Sequence, residues 1–197
     1  MKNELYPDVM LDIESFGTGS DAIVVSIGAV RFRLDTEDDF DTIKEEERSF
    51  YAVLDTEEQE ADGRKSDPAT MDWWNEQSAE ARDVLRQPVE DTTDALNRFV
   101  RFCRGCTRIW GNGNMFDNAI VRDICTDYGV EYPVKYWSDL DVRTLTYLWN
   151  KLTGWTLKGK RPDLKVGDAH NALDDARSQV LQVQRMFKEL RGTKYGA

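Results

Sequence analysis

Hydrophobic and polar positions along the chain sort into strand-like runs first and helix-like stripes afterwards. Val9, Met10 and Leu11 form an apolar approach that predicts a buried strand. Ile23–Arg33 begins as a continuous apolar run and ends in alternation, as a strand does on leaving a core. Ser49–Leu54 gives a third strand, and the spacing predicts an antiparallel meander. Asp67-Pro68 predicts a helix start, with Met71, Trp73 and Trp74 inside the helix. Thr92 or Thr93 is placed to cap a further helix in which Leu96, Phe99, Val100 and Cys103 form one stripe. A short strand over Thr107–Trp110 runs into Gly111-Asn-Gly-Asn114. Helix resumes at about Asp117, with Ile120, Val121, Ile124, Cys125 and Tyr128 on one side, and Gly129 stops it. A weak strand near Lys135–Trp137 precedes a helix from about Asp141 to Asn150, and residues 151–167 read as a loop. A last helix from about Asn171 to Arg191 carries Leu173, Ala176, Val180, Val183, Phe187 and Leu190 on one stripe. Strands followed by alternating helix and strand predict a mixed sheet flanked by helices, of the α/β (α+β) class.

Length and composition add limits to this picture. At 197 residues and 40% hydrophobic, the chain is expected to form one domain over residues 1–197. It holds no apolar run of about 18 residues and opens without a basic and apolar leader, so it is expected to be cytoplasmic, in a bacterium or a phage-infected host. Three cysteines, an odd number, argue against a disulfide framework, and Cys103-Arg-Gly-Cys106 lacks a second pair to complete a zinc site. The net charge of −11 argues against a polyanionic ligand until its distribution is examined. Residues 35–47 hold eight acids and one lysine and residues 55–62 five acids and no base, which leaves the remainder close to neutral. Both segments are expected to be solvated loops. Lys158, Lys160, Arg161 and Lys165 cluster against one acid, Asp163, so nucleic acid stays open as a partner.

Candidate chemistry begins with Asp12 and Glu14. Strand side chains repeat every two residues, so both carboxylates leave one face. Two buried like charges repel and lose water, which calls for a hard divalent cation such as Mg²⁺ or Mn²⁺ between them, unless the strand surfaces there. Asp117 stands at a helix start, where favouring the helix dipole is by itself the more usual role. His170 is the single histidine, and a lone histidine is most often a surface or capping residue. Five positions along a helix rotate by about 140°, so His170 and Asp175 converge only if His170 lies in the loop or first turn. Gly167-Asp168 reads as such an approach.

Together, Asp12-Ile-Glu14 after a strand, Asp117 at a helix start and His170-Asn-Ala-Leu-Asp-Asp175 in the final helix resemble the DEDD exonuclease superfamily, in its DEDDh (DnaQ-like) branch. Leu11–Phe32, Met71–Trp74 and Trp110–Val121 look most like phage and prophage exonucleases of the exonuclease VIII-like and phage exonuclease A types, and are similar to a bacterial exoribonuclease group. The resemblance implies an RNase H-like fold: a five-stranded mixed sheet, first three strands antiparallel, with helices on both faces. It implies a 3′-to-5′ exonuclease with two Mg²⁺ or Mn²⁺ ions held by Asp12, Glu14, Asp117 and Asp175, and His170 as general base. Asp174 could exchange roles with Asp175, though the family spacing favours Asp175. Substrate contacts are expected from Ser15, Phe16, Trp73, Asn112, Asn114 and Lys158. Phe16 and one of the paired tryptophans could instead be core, and the asparagines turn residues. The expected substrate is the single-stranded 3′ end of DNA, with RNA as the alternative and a non-catalytic nucleic-acid-binding module or a nucleotide hydrolase as rival classes. Because the related exoribonucleases act as dimers, a homodimer is also open.

Overall fold

A computed structural model describes residues 6–154, 164–167 and 170–192. Five strands form one sheet in the order β3-β2-β1-β4-β5. β1 (Asp8–Ser15) pairs antiparallel with β2 (Val24–Phe32), and β2 antiparallel with β3 (Ser49–Val53). On the other side β1 runs parallel to β4 (Arg108–Gly111), and β4 parallel to β5 (Asp139–Asp141). The parallel register of β1 and β4 is fixed at its start by buried Asp8, which accepts from Arg108 Nε at 2.6 Å and from Trp110 Nε1 at 3.0 Å.

Among the described residues the α-helices, in chain order, are α1 (Thr56–Ala61), α2 (Pro68–Glu76), α3 (Thr92–Phe102), α4 (Asp117–Asp127), α5 (Val142–Thr153) and α6 (Ala172–Gly192). Alternation along β1 divides the core. Val9, Leu11 and Ile13 join Leu96 and Phe99 of α3 and Ile120 and Ile124 of α4 on one face. Met10 and Trp110 join Val142 and Trp149 of α5 and Val180 and Val183 of α6 on the other. Each such aliphatic side chain contributes about 1.5–3 kcal/mol by leaving water. A smaller cluster over β2 and β3 holds Val25, Val53 and Val84 around Trp74 of α2. Among the described residues, no helix is long and apolar enough to cross a membrane.

Four local expectations are corrected. Residues 55–62 are not a loop: Asp55 accepts from the backbone of Glu57 and Glu58 and starts α1, and buried Gln59 clamps the Val24 N–H and C=O, both at 2.8 Å. Within the acidic segment 35–47, Ile43 is buried in the core, and Asp38 grips the buried Arg48 guanidinium with both oxygens, at 2.8 and 2.7 Å. Asp91, not either threonine, caps α3. Tyr136–Ser138 is a 3₁₀ turn with Tyr136 and Trp137 exposed, and the strand begins after it, at Asp139. Cys103 is core, and burial pushes its thiol and that of Cys106 up, so neither offers a ready thiolate.

Candidate active site

Asp12 and Glu14 leave the face of β1 that α6 covers, at the end of the strand where its pairing with β2 slips between Glu14 and Ser15. Such irregularities re-aim side chains at sheet rims. Opposite Asp12 stands Gly28 of β2. A Cβ added to Gly28 would lie 2.2 Å from both Ala172 C and Leu173 N, so only glycine lets the start of α6 rest on the sheet. That approach carries Asp175, three residues into α6, to the two β1 acids.

Asp117 arrives from the opposite face. β4 ends at Gly111, level with Leu11, so the next β1 amide has no strand partner. The Asp117 carboxylate accepts from that Ile13 N–H and from the Asn112 N–H. Gly111 makes room, since a Cβ there would lie 3.2 Å from Asp117 Oδ2 and closer still to Asn118.

His170 is the one non-glycine residue with positive φ among those described, at 66°. Its backbone N–H donates to Asp175 Oδ2 at 3.0 Å, and Asn171 accepts from the backbone of Leu173 and Asp174 to open α6. The left-handed residue thus turns the loop back over the helix start, which is how His170 and Asp175 meet despite their spacing. An imidazole nitrogen and carboxylate oxygens of Glu14 and Asp175 lie within 4.8 Å of one another. Trp74 Nε1 donates to the Ser15 carbonyl at 2.9 Å, anchoring α2 on the end of β1. The neighbouring Trp73, 39% exposed, then sets its ring edge-on to His170 with centroids 5.0 Å apart.

The electrostatics are those of a negative pocket short of counter-charge. Burial, then the charges of Asp117, Glu14 and Asp175, holds Asp12 well above the usual carboxylate range. Burial, with Asp175 and Asp117, pushes Glu14 up to about 8. Burial likewise raises Asp117 and Asp175. Among the described residues no lysine or arginine forms an ion pair with any of the four. A donor set of carboxylate oxygens and one imidazole, crowded and unneutralised, fits hard divalent ions.

Of the other expected residues, Ser15 is buried with Oγ donating to the Gly17 carbonyl at 2.7 Å, so its hydroxyl is committed to the chain. Phe16 is half-buried and sits edge-on to Trp74, and Trp74 is core. Asn112 is exposed and Asn114 half-buried on the rim beside Asp117. Lys158, with Lys160, Arg161 and Asp168, lies outside the described residues. Asp174 is not free helix surface: it pairs with Arg177 at 3.0 Å and presses on Gly167. A cavity of about 440 Å³ opens beside Glu14, lined by Ser15, Thr18, Thr70, Trp73 and Phe116 among others. Sequence reading missed Phe116. It also missed Gln179, one turn beyond Asp175 in α6, which is buried, donates from Nε2 to Asp12 Oδ1 at 2.7 Å and keeps its Oε1 unpartnered.

This architecture has counterparts. The model of the Rv2179c-like 3′-5′ exoribonuclease domain matches residues 7–187. The chain belongs to that family. It is also similar to an exodeoxyribonuclease of Enterobacteria phage T4, 27% identical over 160 residues that cover 70% of this chain and 69% of the phage protein. Among solved structures, S. pombe Pop2p in a Mg²⁺- and Mn²⁺-bound form superposes with a TM-score of 0.56 at 15% identity, over 96% of this chain and 84% of that one. The RNase domain of yeast Pop2 gives 0.57 at 9% identity, over 96% and 79%. These two share the fold, which is the RNase H-like mixed sheet expected from the sequence. The Rv2179c-like chain is a 3′-5′ exonuclease of the DEDD superfamily, with nucleic acid as its substrate. Neither the fold nor these relatives supports the homodimer.

Proposed function

We propose that the chain, as a single exonuclease domain, removes nucleotides from the 3′ end of single-stranded DNA and releases nucleoside 5′-monophosphates. The observation that carries DNA is the similarity to the phage exodeoxyribonuclease over most of both chains. RNA is the second reading, favoured by the description of the matching family. Discrimination between them rests on contacts to the 2′-hydroxyl.

Asp12, Glu14, Asp117 and Asp175 would hold two ions, Mg²⁺ or Mn²⁺. Bound there, the ions would stabilise charge on the attacking and leaving oxygens of the phosphodiester. His170, held over Glu14 and Asp175 by its left-handed backbone, takes the proton of the attacking water on an imidazole nitrogen, a step typically worth about 10²–10⁴-fold. The cavity beside Glu14 receives the terminal nucleoside, with Trp73 and Phe116 as aromatic walls, each stacked base contributing about 1–3 kcal/mol. Asn112 and Asn114 reach the sugar-phosphate from the rim. Lys158 is kept as a phosphate contact on its sequence position alone.

The test is competition between DNA and RNA strands of one sequence, each 5′-labelled, with products separated by chromatography. A higher kcat/KM on DNA with 5′-monophosphate products supports the reading. A higher value on RNA transfers the assignment to the second reading, and 3′-monophosphates would overturn the mechanism.

A further inference from the structure

Two glycines two residues apart end β4, and each makes room for a different charge. Gly111 lies under the Asp117 carboxylate, and Gly113 lies under the Arg143 guanidinium: a Cβ at Gly113 would fall 3.0 Å from Arg143 Cζ. Gly113 has φ of +117°, a conformation that suits glycine. Arg143 itself is exposed, in the first turn of α5, and that turn is tied to the same loop through Asp141. Asp141 Oδ1 caps α5 by accepting from the Arg143 and Thr144 amides at 2.6 and 3.2 Å, while its Oδ2 accepts from the Asn114 amide at 3.2 Å. The guanidinium is therefore carried to the rim beside Asp117, whose carboxyl burial raises and the Arg143 charge only partly offsets. Among the described residues it has no carboxylate at ion-pair distance.

The layout of the sheet gives the rim a direction. Trp73 and the cavity beside Glu14 lie with α2, which packs over β2 and β3. Arg143, at the start of α5, lies over the loop that follows β4, so it meets the four acids from the side of Asp117. A strand whose last nucleoside fills the cavity crosses the acids and leaves past Arg143. We propose that Arg143, laid on Gly113, grips the first phosphate upstream of the bond being cut, and so sets the path of the departing strand. A guanidinium suits this place, because its planar fork meets two phosphate oxygens at once.

This inference rests on the nuclease reading, so its experiment separates the two. Wild type, Arg143→Ala and Arg143→Lys are assayed on 5′-labelled decathymidylate and on the p-nitrophenyl ester of thymidine 5′-monophosphate, which has no upstream nucleotide. In Arg143→Ala the ratio of kcat/KM on the decamer to that on the ester is expected to fall about tenfold, chiefly through KM, and Arg143→Lys to recover part of it. Binding of a fluorescent decathymidylate, followed by anisotropy across salt concentrations in Ca²⁺, is expected to lose about 0.7 from its logarithmic salt slope in Arg143→Ala, the value of one phosphate contact on a single strand. An unchanged ratio, or an unchanged salt slope, overturns the assignment. If wild type cleaves neither substrate, the nuclease reading fails, and the salt slope still decides whether Arg143 meets a phosphate.

Discussion

A methyl group placed on Gly28 would stand 2.2 Å from the carbonyl carbon of Ala172, a residue 144 positions later in the chain. The contact is backbone to backbone, so neither side can yield by rotating a side chain. Gly28→Ala is expected to lift the start of α6, cost about 1–3 kcal/mol by overpacking, and draw Asp175 from Asp12 and Glu14. Nuclease activity should fall at least about 100-fold, since an ångström of displacement at a reacting centre has that effect. Urea unfolding together with initial rates on an oligonucleotide checks both. Full activity in Gly28→Ala would mean that the α6 approach does not set the site.

His170 separates backbone from side-chain roles. Asparagine is enriched, as histidine is, among the non-glycine residues that adopt the left-handed region, so His170→Asn keeps the turn at φ 66° and removes the proton acceptor. A fall of about 10²–10⁴-fold in kcat is expected, with Mn²⁺ affinity little changed. Equal loss of metal binding and rate would make His170 a ligand instead of a base.

Gln179 links α6 to β1 through the 2.7 Å bond to Asp12. Gln179→Leu fills similar volume and removes that partner. Groups that orient a ligand typically carry 10–100-fold in metal affinity, so Mn²⁺ titration of the metal-free protein should weaken by about that factor while the fold holds. Unaltered affinity would leave Gln179 as core packing only.

The acids that make the site also load the fold with charge. Glu14 is raised to about 8 by burial and neighbouring acids, and Asp12, Asp117 and Asp175 move the same way. Between the unfolded values near 4 and the folded values the native state holds more protons than the unfolded one, so metal-free stability falls as pH rises through that window. Chelator-treated protein is expected to be less stable at pH 8 than at pH 5. Glu14→Gln should flatten the decline, and Mn²⁺ should stabilise the protein more at pH 8. Identical pH profiles for wild type and Glu14→Gln would contradict the shift.

What the sequence made legible was whatever depends on local period and type. Strand period two shows that Asp12 and Glu14 share a face, and a helix start after a strand and a glycine turn marks Asp117, but it was the family resemblance that joined them with His170 and Asp175 into one expected site. Gly28 and Gln179 could not be found that way, because their meaning lies in contacts with segments more than 140 residues distant. Charge misled the reading at residues 55–62: five exposed or half-buried acids suggested solvent, whereas Asp55 caps a short helix there and buried Gln59 clamps it to Val24. Lys135–Trp137 read as a weak strand, yet the sheet pairs the three residues after Ser138 with β4, and Asn118 and Arg122 both hold Asp139 there. Arg143 gave no signal, since its place depends on Gly113.

The most direct measurement follows a 5′-labelled single-stranded oligonucleotide on a gel with the purified protein in Mn²⁺, in chelator, and with Asp117→Asn in Mn²⁺. Progressive shortening from the 3′ end in Mn²⁺ alone, abolished by chelator and reduced at least about 1,000-fold in Asp117→Asn, is the expected result. Shortening that survives chelator, or that proceeds undiminished without the Asp117 carboxylate, would contradict a site in which acids from both faces of the sheet meet around metal.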